Sequence, residues 1–111
     1  MAYDDQLAER VRQLLPGDRT FSEQAMFGGL AFLVGGHMAV VVSGKGGLMV
    51  RTDHDVAQAC VAKGSARFAE MRGRNLRGWL RIDPDGLKTD QNLARWVELG
   101  TNFATALPPK H

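Results

Sequence analysis

The residues with most chemical potential lie in one stretch, "ARFAEMRGRNLRGWLR", which sets Arg67, Arg72, Arg74, Arg77 and Arg81 against a single acid, Glu70. Guanidinium groups are permanent cations with a planar fork of donors that fits phosphate and carboxylate oxygens. Arg72, Arg74 and Arg77 surround an expected hairpin loop with a glycine at each end. Together with Trp79, which offers a stacking face or an interface anchor, they form a candidate anion- or partner-binding site. The plainer reading is a solvated loop whose arginine stems cover sheet surface. The net charge of +2, from 14 basic and 12 acidic side chains, is too small to announce a nucleic-acid binder. Protein contact is therefore the preferred use of the cluster, and nucleic acid the alternative.

Other chemistries find less support. His37, His54 and His111 are scattered over a turn, a helix start and the terminal position, and the chain has one cysteine. Zinc needs three or four converging ligands, so no metal site is expected. Cys60 falls on the apolar side of a helical pattern, where a thiol packs as a small hydrophobe. Ser22, Ser43 and Ser65 sit in no nucleophile elbow. Asp83 and Asp85 flank a turn proline, and turn formation accounts for them. The glycine groups of "FGGLAFLVGG" and "SGKGGL" join strand to strand, whereas a phosphate loop needs a helix N-terminus. No catalytic residue and no cofactor are expected. An enzyme or small-molecule binder ranks third, for want of converging polar groups.

The elements that must position these residues can be read from periodicity. Asp4 to Leu15 is an amphipathic helix with Leu7, Val11, Leu14 and Leu15 on one face, stopped by Pro16 and Gly17. Ala25 to Val34, His37 to Ser43 and Leu48 to Thr52 read as a three-stranded antiparallel meander turning at Gly35-Gly36 and at Gly44 to Gly47. Gly28-Gly29 inside the first strand suggests a bulge or a close backbone approach. A second helix, capped by Asp53 or Asp55, carries Val56, Ala57, Cys60 and Val61 on its apolar face. Ala66 to Arg72 and Trp79 to Asp83 are two further strands joined by "GRNLRG". A last helix after Thr89 or Asp90 shows a stripe of Leu93, Trp96, Val97, Gly100, Phe103, Ala104 and Leu107. The order α-β-β-β-α-β-β-α, not strictly alternating, indicates an α+β domain with three helices on an antiparallel sheet.

"LAFLV" and "MAVVV" do not alternate apolar with polar, so both faces of the sheet are expected to be covered. Helices can cover one face, and a second chain the other, which fits a homodimer. A sheet curled around its own helices is the alternative. With 111 residues the chain is one domain. The lone cysteine and the acidic start "MAYDDQLAER" suit the cytoplasm, and no membrane span is expected.

The chain resembles the TfoX/Sxy family, in its N-terminal domain. The resemblance rests on "MFGGLAFLVGGHMAVVV" after one helix, then "GGLMVRTD", "MRGRNLRGWLRIDPDGL" and "LARWVELGTNFATAL". Its signature is Met26, Phe27, Gly28 and Gly29. It implies a two-layer α+β fold like that of secretion chaperones, with no catalytic residue and no cofactor. The family's competence regulators act with the cyclic-AMP receptor protein and typically carry a second, helical C-terminal domain, which a chain ending at His111 is expected to lack. The resulting expectation is a single-domain, non-enzymatic interaction module, regulatory in character. It is expected to dimerise or to bind another protein.

Overall fold

The computed structural model describes residues 3–15, 21–26, 28–64, 66–71 and 73–107. Among them are α1 (Asp5–Leu14), β1 (Phe21–Met26), β2 (Gly29–Val34), β3 (His37–Val42), β4 (Leu48–Arg51), α2 (His54–Ala62), β5 (Arg67–Met71), β6 (Arg74–Ile82) and α3 (Asp90–Ala106). A short 3-10 turn, Pro84–Leu87, precedes α3. The strands form one antiparallel sheet in the order β1-β2-β3-β4-β6-β5. The fold is α+β, as its periodicities indicate.

Each helix begins where a short polar side chain satisfies free backbone amides. Asp4 accepts from Gln6 and Leu7, Asp53 from Asp55, and Thr89 from Asn92. The expected Gly35-Gly36 turn is present, with both glycines at positive φ (61° and 85°), and Val34 opposes His37 across it. On α2, Ala57 is buried but Val56 is 39% exposed, so Val56 lies off the apolar face expected for it.

Two expectations need correction. The stretch from Ala25 to Val34 is not one strand. It breaks at Gly28 (φ 73°), and Met26 opposes Gly29 across the new hairpin. A polar edge strand, "FSEQAM", thereby joins the meander, which has four strands. The backbone approach foreseen for this glycine pair occurs at Gly29, where a Cβ would collide with the Val42 carbonyl oxygen. The second correction concerns "GRNLRG", which is not a loop. β6 already begins at Arg74, and Met71 opposes Arg74. Strand pairing shifts register between Phe68 and Glu70, and the excess residues of β6 form a bulge around Gly78 (φ 78°).

The main core lies between the sheet and the helices. Leu30, Phe32, Val40, Val42, Leu48, Val50, Leu80 and Ile82 meet Leu7 and Val11 of α1, Ala57 of α2, and Leu93, Trp96 and Val97 of α3. These strand residues are alternate positions, so they define one face of the sheet. All three helices pack on that face.

The edge strand is clamped to α1 by charge. Arg12 donates through Nε to Glu23 Oε2 at 2.6 Å and through Nη2 to Glu23 Oε1 at 2.8 Å, with Nη1 on Glu9 at 2.9 Å. The hydrogen bonds from Arg12 hold the Glu23 carboxyl below the usual carboxylate range and outweigh its slight desolvation. A depressed carboxyl contributes stability that is present above its unfolded pKa of about 4.3 and is lost as pH falls through the folded value. Glu23→Gln is expected to lower the thermal midpoint at neutral pH slightly and to flatten its fall below about pH 4.5. Parallel acid limbs for the two proteins, measured by circular dichroism, would show that the clamp makes no contribution.

Candidate interaction surface

Strand alternation sends the remaining side chains to the opposite face, which carries no helix among the described residues. Ala31, Val41, Ala69 and Trp79 are buried there. Met26, Leu33, Met38, Met49 and Leu76 pack against them and are themselves partly exposed. Every strand of the sheet contributes, and no helical residue belongs to the cluster. This explains the missing alternation in "LAFLV" and "MAVVV": one apolar set faces the helices and the other faces away. Methionine suits such a surface, because its unbranched thioether repacks easily against different shapes.

The structure redistributes the arginine fork. Arg72 lies outside the described residues, and so does the side chain of Arg77. Arg74 is exposed at the start of β6, next to Gly73. Trp79 is 8% exposed and packs in the apolar face, so it offers no free ring to a base. Of the family signature, Met26 joins the helix-free face, Gly28 and Gly29 make the hairpin, and Phe27 lies outside the described residues.

Different cations border the helix-free face. The Arg51 guanidinium lies over Trp79, 5.7 Å from the ring centroid, and 5.6 Å from that of Phe103 at the end of α3. Arg81 donates to the Gly46 carbonyl at 2.7 Å and to Ser43 Oγ at 3.3 Å. Both acceptors are neutral, so the contacts fix the side chain and leave its charge uncompensated. Lys45 stands on the adjoining turn, and Arg67 pairs with Asp83 at 2.7 Å on the exposed rim. Among the described residues no ion pair engages Lys45, Arg51 or Arg81.

Two depressions mark diagonal corners of this face. One, of about 500 Å³, opens beside the β2–β3 turn among Gln24, Met26, Leu33, Met38, Arg51 and Leu107. The other, of about 540 Å³, lies toward the β3–β4 turn among Lys45, Met49, Arg67, Ala69, Glu70 and Arg81, and reaches round the β5 edge to Phe68 and to Val61 of α2. Sequence reasoning missed Lys45, Met49 and Arg51 as candidates, and counted Arg81 in the arginine-rich stretch but not in the site. A signal was available: Met49 and Arg51 alternate with Leu48 and Val50, and Trp79 and Arg81 with Leu80 and Ile82.

Elsewhere the histidines do not converge. His54 stacks on Phe68 at 6.1 Å between centroids, His37 begins β3, and His111 lies outside the described residues. Among the described residues no three His, Cys, Asp or Glu side chains form a metal-binding group. Cys60 is half-buried against the main core. No helix among the described residues is long and apolar enough to cross a membrane.

Helices on one face of an antiparallel sheet, with an apolar, cation-bordered second face that carries no helix among the described residues, define a two-layer α+β domain. Comparison with family models places it further. The chain belongs to the TfoX N-terminal domain family, whose model matches residues 13–104. A search of curated proteins returns no match.

Proposed function

We propose that the chain is a non-enzymatic, regulatory interaction module of the cytoplasm, and that a partner protein docks on the helix-free face of its sheet. One observation supports this above others. Among the described residues all helices lie on one face, while the other carries an apolar cluster drawn from every strand, to which no helical residue belongs. Apolar surface of this kind gains free energy when a partner removes it from water, on the order of 25 cal/mol per Å². Family membership supports a regulatory context. The homodimer anticipated from the doubly apolar strands is one occupant of this face, and a different protein is the other.

Photo-cross-linking in the native cells tests the reading. A benzophenone amino acid replaces Met49 on the open face, or Val56 on α2 as the control. Capture of a discrete partner from position 49 and not from position 56 is expected, and the mass of the adduct distinguishes a second copy from another protein. Capture from position 56 alone, or from neither, overturns the assignment of the face.

A further inference from the structure

Resting on the reading of the helix-free face as a docking surface, we propose that its occupant is an acidic, amphipathic segment of another protein. The apolar side chains of that segment would cover Leu33, Met38 and Met49, and its carboxylates would meet Arg51 at one corner and Lys45 and Arg81 at the other.

Charge selects this occupant. The border carries Lys45, Arg51, Arg67 and Arg81, of which only Arg67 has a carboxylate partner, and Glu70 is the one acid lining either depression among the described residues. On the helical side, by contrast, acids meet cations: Glu9 and Glu23 pair with Arg12, and Asp90 with Arg10. Apart from Glu70 the face is therefore cationic around an apolar floor, and cationic surfaces select partners of opposite sign. Bidentate guanidinium–carboxylate contacts at a half-desolvated rim add geometric selection.

A second copy fits less well. β3 runs from the Gly35-Gly36 turn to the Gly44 turn, so the two depressions occupy opposite ends of the sheet as well as opposite sides of it. Both carry cations. A second copy presents the same cations and, Glu70 apart, no carboxylate from either depression to meet them. Nucleic acid also fits less well, because Trp79 is buried under Arg51 and the floor is thioether and aliphatic. A compact anion reaches one corner only. An extended chain of about ten residues spans roughly 33 Å, which matches the longest dimension of the domain, 33 Å.

The test uses a fluorescein-labelled peptide of about ten residues alternating glutamate with leucine and phenylalanine. Its lysine counterpart, a glutamate-only peptide and mixed-sequence DNA serve as comparisons. Binding is read by anisotropy and by the emission of Trp79 in the Trp96→Phe protein, in which Trp79 is the only tryptophan of the 2 in the chain. The alternating acidic peptide is expected to bind at least about tenfold more tightly than each comparison, to shift Trp79 emission and to weaken with salt. Lys45→Glu combined with Arg51→Glu is expected to weaken it about tenfold or more. Lys45→Glu alone, on an exposed turn, gives the same direction without touching the packing around Trp79. Thermal midpoints of the variants establish that they are folded.

Equal binding of the acidic and basic peptides, with Trp79 responding to both, would overturn the charge assignment while leaving the face a docking surface. Tighter binding of DNA, or of the glutamate-only peptide, would overturn the amphipathic occupant. No binding of any probe would overturn the inference, and the cross-linking experiment would then decide separately whether the face docks a protein. A stable dimer by light scattering that Lys45→Glu leaves intact and that excludes the peptide would assign the face to a second copy.

Discussion

Phe32→Ala is expected to remove about 3–5 kcal/mol of folding free energy, the largest effect of any single truncation considered for this chain. Phe32 is fully buried and sits in β2, within the main core. Its ring meets Phe21 at 6.4 Å between centroids with a 41° tilt, so it also ties the edge strand to the body of the sheet. Truncation loses the transfer free energy of the ring and leaves a cavity that the pleated backbone cannot collapse to fill. Domains of this size hold on the order of 5–15 kcal/mol, so the loss takes a third or more of the total. Urea unfolding of both proteins measures it. A fall in midpoint at unchanged slope is expected, with Phe32→Leu intermediate. A loss under about 1 kcal/mol would mean that the core does not rest on this ring.

Gly100→Ala tests the seating of α3 and is expected to destabilise by about 1–3 kcal/mol. The sign is the informative part. On an isolated helix the same change stabilises by up to about 1 kcal/mol, because alanine fixes the backbone at lower entropic cost. Here a Cβ at position 100 would collide with the Ala39 carbonyl oxygen and stand 2.9 Å from Val40 Cγ1. The carbonyl belongs to the sheet and cannot rotate away, so the helix must lift. Lifting it opens the contacts of Trp96, Val97 and Ala104 with the strands and disturbs Phe103 beneath Arg51. The readout is chemical denaturation, supported by the emission of Trp96. A stabilised Gly100→Ala protein would show that α3 stands further from β3 than described.

These two positions differ in how far they were legible. The apolar stripe of α3 is plain in the sequence, and Gly100 falls inside it. Its being a contact point rather than a weak spot in the helix is not, because that depends on which strand lies underneath. Phe32 belongs to a run with no alternation, so its neighbours Ala31 and Leu33 read equally well as core. Only the register of β2 against β3, with its shift after Phe32, separates the residues that face the helices from those that face away.

The candidate site shows the same division. Charge clustering pointed to Arg72, Arg74, Arg77 and Trp79, since neighbours in sequence are the only neighbours a sequence displays. In the fold the relevant cations are Lys45, Arg51 and Arg81, contributed by a turn and two strands that pair side by side. Trp79 belongs to the surface as part of its floor, held under Arg51 rather than projecting from a loop.

By itself the sequence determined the helices and their caps, the glycine turns, the α+β class and the presence of two apolar sets on the strands. These depend on interactions within a few residues: side-chain periodicity, capping of free amides, and backbone freedom at glycine. The tertiary structure alone decided that β1 splits from β2, that "GRNLRG" is strand rather than loop, and that all three helices take the same face. Strand pairing and helix docking are contacts between residues far apart in the chain, and a one-residue change of register exchanges the two faces of a strand. Which apolar set packs against the helices and which lies on the opposite face was settled there.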